Sequence, residues 1–275
     1  MGAPENYVSV GDLAARVPDG ALLAIPKEEG GGAMAATRAL IRGGVKNLHL
    51  VCVPVGGMQA DLLIGAGSVA ILECSGVSLG EFGPAPRFTQ AVRSGAVTIR
   101  DATCQAIYSA VQAAEKGAPF IAIRGLIGSD VLKHRADWKV IDNPFGNGDP
   151  VVVLPAIKPD IALAHARLGD RYGNVWVGER REITILAHAA KETLITVEEI
   201  YDGNLMEDER LVGNTISSLY VTALAHARRG AWPLDLTGRY LRDDAHIAAY
   251  AAAANTDDGF RAYLAEHVFG TRAAA

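Results

Sequence analysis

The residues of this chain that could do chemistry gather where apolar runs stop and glycines begin. Gly30-Gly31-Gly32, Gly56-Gly57, the stretch from Gly76 to Gly83, and Gly128 each follow such a run. Glycine lets a backbone approach a ligand closely and turn bare N–H groups toward it, which suits phosphate oxygens or a thioester oxyanion. The competing reading is structural, because strand–helix alternation itself requires glycine after strands. Ser75 and Ser78 lie on the third of these turns, and Ser129 follows Gly128. Glu81, set between glycines in GEFG, could be a nucleophile or a pocket wall; a solvated loop glutamate is the alternative. Glu198-Glu199 closes a strand pattern, where paired carboxylates can exchange protons or simply serve the fold. His165, His188 and His226 each stand in Ala-His-Ala within apolar segments and read as core or helix-packing residues.

Several familiar chemistries are excluded by pattern. There is no GxxxxGK[ST] phosphate loop, no GxGxxG (Gly65-Ala66-Gly67 follows a helix pattern), and no GxSxG elbow. Cys52, Cys74 and Cys104 lack CxxC spacing, and three thiols cannot all pair with one another. They read as buried thiols in a reducing, cytoplasmic protein, with no metal motif.

The elements that must position these residues alternate short apolar runs with helical periods, the sequence form of βαβ units and a largely parallel sheet. Strands are expected at ALLAIP, NLHLVCVPV, SVAILECS, PFIAIRGL, VVVLPAI and from DIALAHARLGD through VWVG. Helices are expected at SVGDLAARV, AMAATRALIRGG, MQADLLIGAG, TQAVRSG, within TIRDATCQAIYSAVQAAEKG, and in ITILAHAA before the strand ETLITVEEI. A loop around Gly230-Ala231-Trp232-Pro233 precedes a closing helical stretch interrupted near Asn255. No linker, repeat or low-complexity tract divides residues 1–275, so one α/β domain flanked by helices is expected. In such open sheets ligands bind beyond the carboxyl ends of the strands.

Hydrophobic residues make up 49% and aromatics 6%, so the core must be built from small aliphatics. A net charge of -5 offers no electrostatic basis for binding nucleic acid or an anionic membrane surface. The N-terminus has no apolar signal-like stretch, and no run approaches the about 18 residues that span a bilayer. An anionic ligand would be held by local backbone donors or placed arginines, for which Arg87 and Arg124 are candidates.

The stretch VIDNPFGNGDPVVVLPAIKPDIALAHARLGDRYGNVWV, followed by AHAAKETLITVEEI, resembles the A-type chain of glutaconate CoA-transferase and its relatives among the family I CoA-transferases. The resemblance continues upstream through GGMQADLLIGAGSVAILECS, PRFTQAVRSG and PFIAIRGLIGSDVL, and downstream through GAWP and GRY. It implies an open α/β fold paired with a B-type subunit, and a coenzyme A thioester as substrate rather than a permanently bound cofactor. It further implies ping-pong transfer of coenzyme A between small carboxylic acids, through an acyl-glutamyl anhydride and an enzyme thioester. The attacking glutamate lies on the B-type chain in this family, so no catalytic nucleophile is expected here beyond the candidate Glu81. The acyl pocket is then expected at Gly31, Gly32, Gly56, Gly57, Ser75, Ser78, Gly80, Arg124, Gly128 and Ser129.

The chain departs from the family pattern in places. Where family members carry Gly-Gly-Phe at the end of the first strand, it has Ala24-Ile25-Pro26-Lys27, and Pro26 has no N–H to donate. Trp232 replaces the histidine of a Gly-Ala-His-Pro turn. A sister branch hydrolyses cyclic acyl-CoA rings with an acidic residue on its A-type chain, and Cys104 occupies that position here. The alternative readings are a component of such a hydrolase and a non-catalytic chain that binds acyl-CoA.

Overall fold

A computed structural model describes residues 7–27, 31–146 and 148–270. Gly30 and Asn147 lie outside the described residues. In chain order the elements are α1 Val10–Ala14, β1 Leu22–Pro26, α2 Met34–Gly43, β2 Leu48–Val53, α3 Met58–Gly65, β3 Val69–Cys74 and α4 Pro86–Ser94. There follow β4 Thr98–Asp101, α5 Cys104–Glu115, β5 Phe120–Ile123, α6 Val131–His134, β6 Lys139–Asp142 and β7 Pro150–Pro155. The remainder is β8 Ile161–Asp170, β9 Val175–Trp176, α7 Arg181–Ala189, β10 Glu192–Tyr201, β11 Thr215–Ile216, β12 Ala223–His226, α8 Asp244–Ala253 and α9 Asp257–His267.

Local sequence explains where helices begin and stop. Thr103 accepts the Ala106 N–H and caps α5, and Thr256 does the same for Gly259 at the start of α9. Helix α2 ends because Gly44 takes a left-handed conformation, φ 75°, and donates back to Ile41. Helix α4 starts at Pro86, earlier than the glycine- and proline-rich loop suggested, because a first-turn proline fits the helix.

Among the described residues the main sheet has nine strands. Strands β12, β10, β8, β1, β2, β3 and β4 lie side by side in that order, all paired in parallel. Short antiparallel pairings attach β9 and β11. Period-2 alternation separates two cores. Leu23, Ile25, Leu50, Cys52 and Leu72 pack with α2, α3, α8 and α9 on one face; Ala24, Val51 and Val53 pack with α5 and α7 on the other. Strands β5, β6 and β7 stay out of this sheet and form a separate three-stranded antiparallel one. Its inner residues Ile123, Val152 and Leu154 pack against α5.

The strand order makes a doubly wound sheet. After β1 the chain crosses through α2 to β2 on one side; after β8 it crosses through α7 to β10 on the other. The crevice between β1 and β8 is therefore the switch point, where such sheets bind ligands. Strand β8 pairs with β1 only at Ile161 and Ala162 and then outruns it. Beyond that point the His165 N–H donates to the Gly31 carbonyl.

Candidate active site

Two cavities open over the carboxyl ends of the central strands, and Lys27, the residue after β1, lines both. The first, about 310 Å³, is bounded by Gly56, Ser78, Gly80, Asp235 and Arg242. The second, about 430 Å³, is bounded by His165, Arg167, Trp176, Arg180 and Glu182. The loop from Leu234 to Thr237 contributes to each. The departure from Gly-Gly-Phe thus sets a lysine where the two cavities meet.

Gly56 is fixed by packing. A Cβ there would stand 2.8 Å from Cys52 Sγ and 2.9 Å from Ala60 Cβ. The loop above it closes on itself: Gly56 N–H donates to Gly76 O, Ser78 N–H to Gly56 O, and Ser75 N–H to Pro54 O. Gly80, at φ 62°, donates its N–H to Ser78 Oγ over 3.1 Å. Those four backbone donors are used within the loop, against the idea that its glycines present bare N–H groups. What faces the cavity is the exposed Ser78 side chain, whose oxygen accepts from Gly80 and whose O–H can donate outward.

The other expected residues fall in three places. Gly31 borders the second cavity's wall: a Cβ on it would lie 3.5 Å from Arg180 and 3.2 Å from Ile183. Gly32 follows and bonds Met34, and Gly57 caps α3. Ser75 turns from the first cavity to bond Pro54 O and, at 3.1 Å, Cys104 Sγ. Arg124, Gly128 and Ser129 belong to the small antiparallel sheet and the loop after it. Arg124 is exposed and paired with Asp149, and Ser129 Oγ receives the Val131 N–H. These three line neither cavity.

Glu81 stands on a 3₁₀ turn, exposed, its carboxylate 2.5 Å from Arg242. Arg87 is withdrawn from any ligand: it is buried, bonded to Asp257 at 2.7 Å, and stacked on Phe260. Cys52 and Cys74 are buried as expected. Cys104 is not; it starts α5 and is exposed.

Sequence reasoning missed Asp235, Arg167 and the environment of Glu198. Asp235 lines the first cavity with no hydrogen bond or ion pair among the described residues. Glu198 and Glu199 are not a catalytic pair, since adjacent strand residues point to opposite faces. Glu199 meets Arg239, whereas Glu198 turns to the buried His165. It also accepts from the N–H groups of Arg229 and Gly230 and from Tyr240 Oη. Burial pushes the Glu198 carboxyl up, but the His165 and backbone hydrogen bonds outweigh it and bring it down to about 2. Burial holds His165 below its ordinary value, against the pull of Glu198. The pair anchors the start of the loop that walls both cavities.

A third cavity, about 290 Å³, lies at the amino ends of β1 and β2. It is lined by ion pairs joining Arg135 and Arg100 to Glu73 and Asp137. Among the described residues no group of three His, Cys, Asp or Glu could hold a metal, and no helix is long and apolar enough to cross a membrane.

Residues 7–221 match the family model described as Coenzyme A transferase. The chain belongs to that family. It is 31% identical over 277 residues to the A-type chain of the 3-oxoadipate CoA-transferase of Pseudomonas knackmussii, an alignment spanning 98% of this chain and 92% of that one. It is 28% identical over 248 residues to the cholesterol ring-cleaving hydrolase IpdA subunit of Rhodococcus jostii, covering 86% and 83% of the two chains. The crystal structure of glutaconate coenzyme A-transferase from Acidaminococcus fermentans superposes with a TM-score of 0.89 at 26% identity, covering 97% of this chain and 89% of that one. This CoA-transferase chain is thus homologous to the A-type chains of two-component enzymes, with a mostly parallel α/β sheet flanked by helices.

Proposed function

We propose that this chain is the A-type half of an acyl-CoA:carboxylate CoA-transferase whose attacking glutamate arrives on a B-type chain. The observation that carries this reading is the first cavity. It sits at the carboxyl ends of β1, β2 and β3, with the Ser78 hydroxyl and the cations Lys27 and Arg242 around it, while Glu81 is engaged by Arg242. In the proposed cycle the partner's glutamate attacks the thioester carbonyl, expels CoA thiolate and leaves an acyl-glutamyl anhydride. The thiolate then attacks the anhydride, releases the acid and forms an enzyme thioester. Splitting one exchange into such steps lowers each barrier. Ser78 is assigned the role of donor to the developing oxyanion, and Gly56 and Gly80 that of holding it in place. Gly31, Gly32 and Gly57 are assigned to the cavity walls. Closure by the partner would keep water from the anhydride. No permanently bound cofactor is part of this reading. Three cysteines that form no disulfide, one of them exposed, favour a reducing cytoplasm.

The test is co-expression with the product of the neighbouring B-type gene. The complex is expected to exchange CoA between acids while the isolated chain is inactive. Equal turnover by the chain alone refutes the division of labour. A second reading, hydrolysis, draws on Asp235, an unpaired carboxylate in the cavity able to take a proton from water, and on the similarity to the ring-cleaving hydrolase. Under that reading a cyclic acyl-CoA takes up water and opens without an acceptor such as acetate, and Asp235→Asn abolishes the opening.

A further inference from the structure

The third cavity, of about 290 Å³, lies away from the other two. Leu22, the first residue of β1, and His49, the second of β2, line it, so it opens at the opposite ends of the central strands. It falls between the main sheet and the small antiparallel one. Arg100 reaches it from β4, and Lys158 from the segment joining β7 to β8. Ala106, Ile107 and Ala110 of α5, with Pro155 and Ile157, give it an apolar wall.

Its two carboxylates are already engaged. Glu73 accepts from Arg135 Nη2 at 2.7 Å and from His49 Nε2 at 3.1 Å. Asp137 accepts from Arg135 Nε and Nη2 and from Arg100 Nη2. The polar groups left over are donors. Arg100 Nε is buried, 3.4 Å from Glu73 but not aimed at it in a hydrogen bond, and Arg100 Nη1 bonds nothing among the described residues. Lys158 is exposed, with no hydrogen bond or ion pair among the described residues. A buried guanidinium N–H left unmatched costs free energy that a bound acceptor recovers.

The lining fixes the class of ligand. With His49 neutral, Arg100, Arg135 and Lys158 exceed Glu73 and Asp137 by one positive charge. One surplus charge suits a singly charged acceptor, and the apolar wall suits carbon behind it. A doubly charged phosphate would overrun that surplus and set its second charge beside two carboxylates.

We propose that this cavity binds a monocarboxylate with a short hydrocarbon tail, its carboxylate held by Arg100 and Lys158. Such a ligand joins the main sheet to the small one, which Arg135 already fastens together. The site is apart from the cavities assigned to the acyl group, and the inference does not rest on transfer of coenzyme A.

The test is calorimetric titration of the full-length chain with hexanoate, with hexanamide (its uncharged counterpart) and with inorganic phosphate, then hydrogen exchange with hexanoate bound. Hexanoate is expected to bind about tenfold more tightly than hexanamide, as one charge-assisted hydrogen-bonded pair predicts. Because Lys158 is exposed and unpaired, Lys158→Gln should fold normally and erase that preference, and Lys158→Arg should keep it. Lys133→Gln, at an exposed lysine outside the cavity, should leave the preference unchanged. Bound hexanoate should slow exchange in β6 and β7. Equal binding of hexanoate and hexanamide overturns the proposal, as does a preference that survives Lys158→Gln or is lost in Lys133→Gln. So does phosphate that binds as tightly as hexanoate and displaces it. Protection of loop 75–80 with β6 and β7 unchanged places the acid in the first cavity and overturns the proposal as well. A chain that passes these tests yet exchanges no CoA with a B-type partner removes the proposed function and leaves this inference standing.

Discussion

His165 Nε2 stands 3.4 Å from Glu198 Oε2, the two side chains projecting from the adjacent parallel strands β8 and β10. His165 Nδ1 lies 2.8 Å from Thr196 Oγ1, which orients the ring. Glu198 collects the N–H groups of Arg229 and Gly230 on its other side. Gly230 is held so near the imidazole that a Cβ would collide with it. One carboxylate thus ties the sheet at its switch point to the loop that walls the cavities.

This relationship predicts how stability depends on pH. Glu198 has a folded-state value near 2, below its ordinary 4.5, so its contribution is complete above about pH 4.5 and is lost as pH falls toward 2. His165 is held below 6.5, so the unfolded chain takes up a proton first and stability also falls as pH drops below 6.5. Both effects act in the same direction. Glu198→Gln should cost roughly 2–3 kcal/mol at pH 7, because the amide brings a donor to two backbone donors. The deficit should shrink as pH falls below about 4.5. Urea unfolding at neutral and acid pH checks this; a deficit independent of pH would dissociate Glu198 from its charge.

The turn at Gly56 and the loop from Ser75 to Gly80 separate packing from chemistry. Gly56→Ala forces a methyl between Cys52 Sγ and Ala60 Cβ, both in the core, at about 1–3 kcal/mol. It should also displace Ser78, whose N–H bonds Gly56 O. Ser78→Ala removes an exposed hydroxyl and its one solvent-accessible bond from the Gly80 N–H, and should change stability by less than about 1 kcal/mol. With a B-type partner present, its turnover should fall by about 10²-fold, the loss typical of one oxyanion donor. Full turnover in Ser78→Ala takes that residue out of the site.

Much of the scaffold was legible because its signals are local. Short apolar runs marked β1, β2, β3 and β8, and glycine marked ends at 31–32, 56–57 and 76–83. What depends on pairing was not legible. The β8–β10 register places His165 opposite Thr196 and one residue pair from Val197, so Glu198 becomes its neighbour only once the strands meet. Arg124 looked like an anion partner from its place after an apolar run. Strand β5 joins the antiparallel sheet instead, where Asp149 meets that arginine. Arg167 gave no signal at all, since an arginine inside a strand reads as a surface cation until its stacking on Trp176 is known.

That small antiparallel sheet is fastened to the main one through Arg135, which supplies the last test. Arg135 is buried, bonds the buried Glu73 at 2.7 Å and the Asp101 carbonyl at 3.1 Å, and stacks 3.9 Å above Trp138. Burial lowers its hold on the proton, but Asp137 and Glu73 more than restore it. Arg135→Met keeps the stem and removes the charge, leaving Glu73 to His49 at 3.1 Å and Arg100 at 3.4 Å. Breaking a buried pair by removing one partner costs about 3–5 kcal/mol, and the remaining contacts of Glu73 with Arg100 and His49 place the loss near about 3 kcal/mol. In a chain of this size that is a fall of roughly 6–12 °C in Tm. Hydrogen exchange should rise first in β6 and β7, while β1, β2 and β3 stay protected. A Tm within a degree of the wild type, or exchange rising evenly through both sheets, would show that the apolar contacts of Ile123, Val152 and Leu154 hold the small sheet without Arg135.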